Sequence, residues 1–335
     1  MTTEIPESFE SQAARFIEVF TRVRNEIGKV IVGQERLIED VLTGLFAGGH
    51  TLLEGVPGIG KTMLVKTLAE ATDCVFSRIQ FTPDLMPSDI IGTRVVIEDE
   101  EGRKHFSFQQ GPVFTQVLLA DEINRATPKT QSALLEAMQE KAVTVSGETH
   151  ILDAPFFVMA TQNPLEMEGT YPLPEAQIDR FLFKLNVDFP SMDDLLEIAR
   201  RTTTREIPHA GVVLKSREVV ELMGVVRDVP IAGHVERYAA SILLATHPES
   251  DSATKMVKQN VKYGASPRGL QAMILGGKVR ALLDRRYNVS EEDIREVAAP
   301  SLRHRILFNF EGEAEEIQPD TIITEILGSV SIHVA

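Results

Sequence analysis

The spacing of apolar residues changes along the chain and divides it into regions. Near the start, apolar residues recur at alternating steps of three and four, which places them on one face of a helix predicted over residues 8–27. This stripe consists of Phe9, Ala13, Phe16, Phe20, Val23 and Ile27. A second periodic stretch, Leu37–Leu45, predicts another helix that ends at the Gly48-Gly49 pair. Both helices are expected to pack on the main core.

After this pair, short apolar runs alternate with glycine-rich turns and helical patterns. The runs predicted as strands are Thr51–Leu53, Val75–Ile79, Val117–Ala120, Phe156–Ala160 and Phe181–Leu185, the last four as buried ones. Strands that alternate with helices are typical of a parallel sheet with helices on both faces. Two turn-rich segments, about 94–108 and 143–152, interrupt the alternation and predict inserted hairpins.

The residues after Phe189-Pro190 carry mostly helical patterns. Ser191 and Asp194 have the spacing of a capping box and predict the start of a helix. Further helices are predicted over Glu218–Val226, His234–Ala245, Pro267–Leu283 and Glu291–Val297. With 335 residues, the chain is long enough for two domains. We expect an α/β core over residues 1–190 and a helical domain over residues 191–335.

Charge and composition disfavour several classes of partner. The net charge is −15, so the surface as a whole repels nucleic acid phosphates and anionic lipid, and no run of Lys and Arg stands out. No apolar run is long enough to span a bilayer, and the first residues lack a secretory pattern. The single cysteine, Cys74, fits a reducing compartment. We expect a cytoplasmic protein with no nucleic acid partner and no membrane insertion.

A phosphate-binding loop is the strongest chemical signal in the sequence. Residues Gly55–Thr62 fit the GxxxxGK[ST] pattern between a predicted strand and a helix. The glycines let backbone N–H groups surround a phosphate at the helix N-terminus. Lys61 reaches oxygens of the β- and γ-phosphates of a nucleotide, and Thr62 can ligate Mg²⁺. The residues predicted to bind nucleotide here are Gly55, Val56, Pro57, Gly58, Ile59, Gly60, Lys61, Thr62 and Met63.

Polar residues also follow two of the predicted strands. Asp121 and Glu122 come directly after an apolar run, where acidic groups are costly unless they serve a ligand at the carboxyl edge of the sheet. We expect Asp121 to hold Mg²⁺ through water and Glu122 to orient and deprotonate the attacking water. Asn163, within Thr161–Pro164, could hydrogen-bond the γ-phosphate or the water. The alternatives are a pair of solvated acids and an asparagine that only forms a turn.

Together these stretches resemble the MoxR family of AAA+ ATPases. The match extends from Ile31 to Arg268. Its most specific stretches are Gly55–Thr62, Asp121–Ala126, Ala160–Pro164, Leu173–Phe181 and Ser266–Arg268. The resemblance implies a P-loop NTPase core, in which a parallel five-stranded sheet lies between helices and carries hairpin insertions. An all-α lid would follow this core, and ATP would bind between the two.

The resemblance also assigns residue roles. It implies that Ile31, Val32, Gly33 and Gln34 line the adenine pocket. Asn163 matches the sensor 1 position, and Arg268 matches sensor 2, which contacts the γ-phosphate from the lid. Arg180 matches the arginine finger, which acts in trans on the site of a neighbouring subunit. For Arg180 the alternative is a structural ion pair with Asp179, and Arg125 is the second candidate for a trans role.

At the level of function, the resemblance implies ATP hydrolysis coupled to remodelling or maturation of a protein partner. It implies a homo-oligomer, a hexameric ring, and protein clients that include partners with von Willebrand A domains. Three alternatives stay open: a nucleic-acid motor, the motor subunit of a metal chelatase, and a scaffold that binds ATP without useful turnover. Intact Glu122 and Arg180 count against the scaffold.

Overall fold

A five-stranded parallel sheet forms the centre of the first half of the molecule, in a computed structural model that describes residues 8–100, 102–163, 169–205 and 208–330. The central strands are β1 (Thr51–Glu54), β2 (Phe76–Gln80), β5 (Val117–Asp121), β8 (Phe157–Gln162) and β9 (Phe183–Asn186). They lie in the order β2-β5-β8-β1-β9, and every neighbouring pair is parallel. The predicted parallel sheet is therefore confirmed.

Several predicted strand limits are wrong by one or two residues. Strands β2, β8 and β9 begin later than expected. Val75 lies outside β2 and is 62% exposed, and Ile79 is the buried residue of that strand. The expectation that β2 is a buried strand is wrong because it lies at the edge of the sheet, where only one side has a neighbour.

Helices cover both faces of the sheet because successive residues of each strand point to opposite sides. On β1, for example, Leu53 belongs to one hydrophobic cluster and Leu52 to the other. The helices that cover the first face are α1 (Phe9–Gly28), α2 (Glu35–Phe46) and α3 (Lys61–Ala71), and those on the second are α4 (Pro87–Ile91) and α5 (Pro128–Glu140). The predicted first helix is confirmed, with Ser8 as its N-cap.

Both predicted hairpins are present and contact each other. The first pairs β3 (Gly92–Glu98) with β4 (Lys104–Gln110), and the second pairs β6 (Ala142–Val145) with β7 (Glu148–Ile151). In the second hairpin, Ser146 and Gly147 both adopt positive φ and form a two-residue loop.

Two side-chain contacts join these hairpins. Arg94 pairs with Glu148 at 2.7 Å, and the rings of Phe108 and His150 stack with centroids 4.0 Å apart. The two insertions are therefore held against each other at their sides.

The region after Pro190 is mostly helical, as predicted. Its elements are α7 (Met192–Thr202), α8 (Ser216–Asp228), α9 (Gly233–Ala245), α10 (Lys255–Asn260), β10 (Val261–Tyr263), α11 (Pro267–Leu283), α12 (Glu291–Leu302), β11 (Leu307–Phe308), α13 (Phe310–Ala314) and α14 (Pro319–Ser329). A short helix, α6 (Glu175–Ile178), precedes β9. The Ser191–Asp194 capping box is confirmed, whereas α10, α13, α14 and the small β10–β11 sheet escaped prediction.

The helical region shares one hydrophobic cluster with α1, α2 and one face of the sheet. The division of the chain at residue 190 therefore stays a prediction. Among the residues that the structure describes, no helix has both the length and the apolar character needed to cross a lipid bilayer.

Candidate functional site

The phosphate loop connects β1 to α3 as the sequence predicts. Gly58 and Gly60 have φ of +84° and +87°, a backbone conformation that favours glycine, and a Cβ built at either position would have no atom within 4 Å among the described residues. The loop therefore borders open space at both glycines. Lys61 and Thr62 are half-buried in the first turn of α3, and Met63 beside them is exposed.

The Lys61 ammonium lies inside the loop and donates a hydrogen bond to the Gly55 carbonyl at 2.6 Å. Burial lowers the pKa of Lys61, and the carboxylates of Asp121, Glu122 and Glu54 act in the opposite direction. The sheet thus brings a lysine and the two predicted acids within electrostatic range of one another.

Asp121 ends β5, and side chains of the two neighbouring strands hold its carboxylate. The Thr161 hydroxyl of β8 donates to Asp121 Oδ1 at 2.6 Å, and Arg78 of β2 donates to Oδ2 at 2.7 Å. The same Thr161 oxygen accepts the backbone N–H of Glu122 at 2.8 Å. One hydroxyl therefore fixes the positions of both predicted acids.

Glu122 directly follows β5, and its backbone has a φ of +56°, unusual for a residue with a side chain. Its Oε2 accepts hydrogen bonds from Gln80 at 2.8 Å and from Arg125 at 3.0 Å. Arg125, the second candidate for a trans role, therefore contacts an acid of its own chain. Two donors thus determine where this carboxylate points.

Gly33 and Gln34 border a cavity of about 520 Å³. The cavity is also lined by the residues that follow β9 and by residues of α12 and α14. Gly33 has a φ of +68°, and a Cβ there would lie 2.2 Å from Cγ of Asp194 in α7. The predicted adenine-binding segment therefore lies where the sheet region meets the helical region.

Arg180 occupies the turn between α6 and β9. Its Nη1 donates to the Leu135 carbonyl of α5 at 2.7 Å, and its buried Nε has no hydrogen-bond acceptor among the described residues. A cavity of about 360 Å³ lies beside it. Within the described part of the chain, α5, α6 and Arg180 itself line this cavity, and no residue of Gly55–Thr62 contributes.

Asp179 does not pair with Arg180, so the alternative of a structural ion pair between these neighbours is wrong. Its carboxylate instead accepts from Arg305 at 2.8 Å and from Arg268 at 3.3 Å. It also accepts the Ser266 hydroxyl at 2.7 Å. Arg268, the predicted sensor 2 residue, lies at the start of α11 and is thus bound to the Asp179 carboxylate.

Asn163, the predicted sensor 1 residue, is buried directly after β8. It lies one strand away from Asp121, since β8 and β5 are neighbours. Pro164, the last residue of the predicted polar segment, lies outside the described residues.

Comparison with known proteins supports the family resemblance of the sequence. The family model described as ATPase family associated with various cellular activities (AAA) matches residues 50–183, and that described as AAA lid domain matches residues 253–326. The chain is 42% identical over 329 residues to Chaperone MoxR1 of Mycobacterium tuberculosis, covering 98% of this chain and 86% of that protein. It is 30% identical over 319 residues to Protein MoxR of Methylorubrum extorquens, covering 90% and 92%.

The chain belongs to the MoxR family of AAA+ ATPases. A crystal structure of a protein from Cytophaga hutchinsonii superimposes with a TM-score of 0.89 at 42% identity, covering 96% of this chain and 97% of that one. The α/β core followed by a helical lid is therefore confirmed. Membership of a family of ATPases implies nucleotide binding.

In this MoxR-family chain, two of the side chains that hold the predicted acids were not predicted from the sequence. Arg78 and Gln80 alternate on β2 and point to the same side, toward Asp121 and Glu122. The signal was present as two polar residues spaced two apart at the carboxyl end of a predicted strand. The apolar run that predicts this strand ends at Ile79, one residue before Gln80, and does not indicate that the strand lies at the edge of the sheet.

The lid residue Arg305 was also missed. Its partner Asp179 is 126 residues away in sequence, and the pair is part-buried. The side chain of Arg305 is 2% exposed. This buried arginine connects the lid of the chain to the segment that carries Arg180.

Proposed function

We propose that this chain hydrolyses ATP with Mg²⁺ and uses the energy to remodel or mature a protein partner, as a chaperone-like motor. The observation that supports hydrolysis is the convergence of Lys61, Asp121 and Glu122 at the carboxyl edge of one parallel sheet. In α/β sheets, ligands bind at this edge. An ammonium facing two carboxylates is the arrangement expected when a triphosphate and a divalent cation lie between them.

The residues present fit both the nucleotide and the metal ion. The open space at Gly58 and Gly60 leaves room for phosphate oxygens against the backbone. Thr62 and, through water, Asp121 would hold Mg²⁺. Asp121 already accepts three hydrogen bonds, but Oδ1 accepts only one of them, from Thr161, and retains a lone pair for the water. Bound there, Mg²⁺ would offset negative charge on the phosphate oxygens.

The remaining site residues have distinct tasks in this proposal. Glu122 orients the attacking water and accepts its proton, since its carboxylate has the required basic oxygen and a fixed position. Asn163 donates its amide to the γ-phosphate or to that water. Arg268 exchanges Asp179 for the γ-phosphate when the lid closes. The segment Ile31–Gln34 contacts the adenine.

Arg180 completes the site of a neighbouring subunit, so the active form is a homo-oligomer, which we take to be a hexameric ring. Its cavity is lined by α5 and α6 rather than by this chain's own phosphate loop. Its buried Nε–H has no acceptor among the described residues, so turning the guanidinium toward a phosphate of the neighbouring subunit would give this group a partner in exchange for the Nη1 bond to the Leu135 carbonyl. An arginine in this role accelerates phosphoryl transfer by roughly 10³- to 10⁵-fold in other NTPases.

A protein partner is favoured over nucleic acid by the charges of the hairpins. Arg94 is paired with Glu148, Arg103 with Asp99, and Lys104 lies opposite Glu98 in the ladder. Two of these basic side chains are thus paired with acids and the third lies opposite one, whereas binding of a nucleic acid strand requires a positively charged groove. Val96 and Phe106, which lie opposite each other on the first hairpin, are instead 57% and 69% exposed. A relative named a chaperone, MoxR1, and the von Willebrand A partners implied by the resemblance support a protein client.

The proposal is tested by phosphate release from ATP by the purified chain with Mg²⁺ and with excess chelator. We expect turnover that chelation abolishes. Arg180→Ala chains should be inactive, and mixing them with Glu122→Gln chains should restore turnover, because one hybrid interface combines an intact Glu122 with an intact Arg180. Full activity of Arg180→Ala alone would exclude the trans role.

Single-stranded DNA separates the first rival function from the proposed one. A motor that acts on protein should hydrolyse ATP at the same rate with and without DNA at both low and high salt. Stimulation that disappears as salt rises would instead indicate a nucleic-acid motor.

A further inference from the structure

Arg305 follows α12 in the lid and is almost completely buried against the segment that carries Arg180. All five N–H groups of its guanidinium are engaged. Nε donates to the Asp179 carboxylate at 2.8 Å, and Nη2 donates to the carbonyls of Asp179 and Phe181 at 3.0 and 2.7 Å. Nη1 donates to the carbonyl of Leu182 at 3.2 Å and to that of Ser301. The carbonyls that Arg305 holds therefore lie on both sides of Arg180.

Neighbouring lid residues reinforce this arrangement. The ring of His304 bonds the Phe181 carbonyl through Nε2 at 3.1 Å. At the start of α11, Ser266 and Arg268 both bond the Asp179 carboxylate. Two separate parts of the lid thus hold residues 179–182, which belong to the sheet region and lead directly into β9.

Stability alone gives a poor account of so many buried polar contacts. Burial lowers the pKa of Arg305 to about 10, although the Asp179 carboxylate acts in the opposite direction. The desolvation of a buried ion pair commonly cancels its attraction, and an apolar pair of similar volume is often at least as stable. What the planar guanidinium adds is geometry, because five donors in one plane fix several backbone carbonyls at once.

We propose that Arg305 is a positioning residue for Arg180: through it, the lid of one subunit sets the place of the arginine which that subunit presents to its neighbour's ATP site. This rests on the trans role proposed above for Arg180. A change in lid angle moves Arg305, and the four-residue segment 179–182 transmits the movement to the interface. Nucleotide in one site thereby controls turnover in the next.

The first test is Arg305→Lys, which keeps the charge and loses the planar set of donors. We expect ATP affinity within about twofold of wild type by calorimetry and an unchanged KM, but kcat lowered by at least about tenfold, since misplacing a catalytic group by about 1 Å costs up to 10²-fold. The matched control is Arg286→Lys, which removes a bidentate arginine from the buried Asp293 elsewhere in the lid. It should leave kcat unchanged. Wild-type kcat in Arg305→Lys would overturn the proposal.

Mixed oligomers decide which site is damaged. Glu122→Gln chains should bind ATP without hydrolysing it and still carry an intact Arg180. Mixed with Arg305→Lys chains, they should restore turnover well above the sum of the separate rates, because each restored site lies in an Arg305→Lys chain that receives its arginine from an ATP-bound Glu122→Gln neighbour. Without restoration, the damage lies in the chain's own site and the proposal is wrong.

The mixture of Arg180→Ala with Glu122→Gln chains distinguishes this failure from that of the proposed function. If that mixture is not restored, the trans role fails, and the Arg305 proposal fails with it. If it is restored and the Arg305→Lys mixture is not, only the Arg305 proposal fails. Should Arg305→Lys not fold, Arg305→Gln takes its place in the same mixtures, since it keeps a planar donor and leaves Asp179 paired with Arg268.

Discussion

The Lys61 ammonium donates its hydrogen bond to the Gly55 carbonyl, at the opposite end of the same phosphate loop. The bond spans six residues and closes the loop on itself, so the positive charge lies at its centre. Phosphate oxygens that entered the loop would compete with the Gly55 carbonyl for this ammonium. Because a bond to a charged oxygen is stronger than one to a carbonyl, we expect Lys61 to turn toward the phosphate.

Lys61→Ala should therefore weaken ATP binding. Loss of one charge-assisted hydrogen bond corresponds to about 1.5–3 kcal/mol, or roughly 10- to 100-fold in Kd. Calorimetry with Mg²⁺ and a non-hydrolysable ATP analogue measures the change. Lys66→Ala, on an exposed side of the same helix, is the control and should bind as wild type. Equal affinity for both variants would show that Lys61 does not meet the nucleotide.

Glu122→Gln should retain ATP and lose turnover. The amide keeps the size of the side chain but cannot accept a proton, so we expect kcat to fall by about 10²- to 10⁴-fold while the affinity for ATP changes little. Rapid-quench measurement of a single turnover separates the chemical step from product release. Glu70→Gln, an exposed carboxylate on α3, should behave as wild type. A Glu122→Gln chain with near-normal kcat would remove Glu122 from the chemistry.

Gly33→Ala should disturb the border between the two regions. The new Cβ would lie 2.2 Å from Cγ of Asp194, whose carboxylate caps α7 by accepting from Ser191, and the φ of +68° is itself strained for alanine. We expect a loss of roughly 1–2 kcal/mol in the free energy of unfolding and weaker ATP binding. Urea denaturation and calorimetry measure the two effects. In contrast, Gly224→Ala within α8 meets no atom within 4 Å among the described residues and should stabilise the chain by roughly 0.5–1 kcal/mol.

His50 should make the stability of the chain depend on pH. Burial lowers the pKa of its ring to about 4, from the ordinary 6.5. The ring bonds the Met138 carbonyl through Nε2, while Nδ1 accepts the Val158 N–H, so only the neutral ring fits. The unfolded chain therefore takes up a proton between pH 6.5 and about 4 that the folded chain does not.

The contribution of the neutral His50 ring to the free energy of unfolding is thus fully present above pH 6.5. It decreases by roughly 3 kcal/mol in all as the pH falls toward 4. Burial likewise lowers the pKa of His304, which adds to the slope. Urea denaturation at several pH values should show a steep loss of stability on acidification. His50→Gln should reduce the number of protons taken up on unfolding, which the slope of the free energy of unfolding against pH measures, by up to one. An unchanged slope would contradict the role of His50 in this pH dependence.

Local motifs made part of this site predictable from the sequence. The phosphate loop and the Asp121-Glu122 pair are contiguous stretches, and their chemistry follows from residue type and from the strand before them. The same holds for the Ser191 capping box, which needs only four residues. Each of these features depends on residues that are close in sequence, so it does not depend on how the rest of the chain packs.

The order of the strands in the sheet and the contacts between residues distant in sequence could not be predicted in this way. Gln80 reaches Glu122 only because β2 lies beside β5, and the periodicity of a strand does not say which strand will be its neighbour. The contact of Arg305 with Asp179 depends on how the lid folds back over 126 residues. The resemblance supplied the role of Arg268 but not its pairing with Asp179.

The contact between the two hairpins has a mechanical consequence. The first hairpin is anchored beside α4, where Gly92 and Gly111 pack so closely that a Cβ on either would overlap backbone atoms of the opposing strand or of Ile90. The second emerges from the end of α5. Arg94 bonds Glu148 and Phe108 stacks on His150, so the two hairpins are joined to each other although they start from different helices. A load on either hairpin is therefore shared by both, so a protein that pulled on one of them would act on α4 and α5 together, and through them on one face of the sheet.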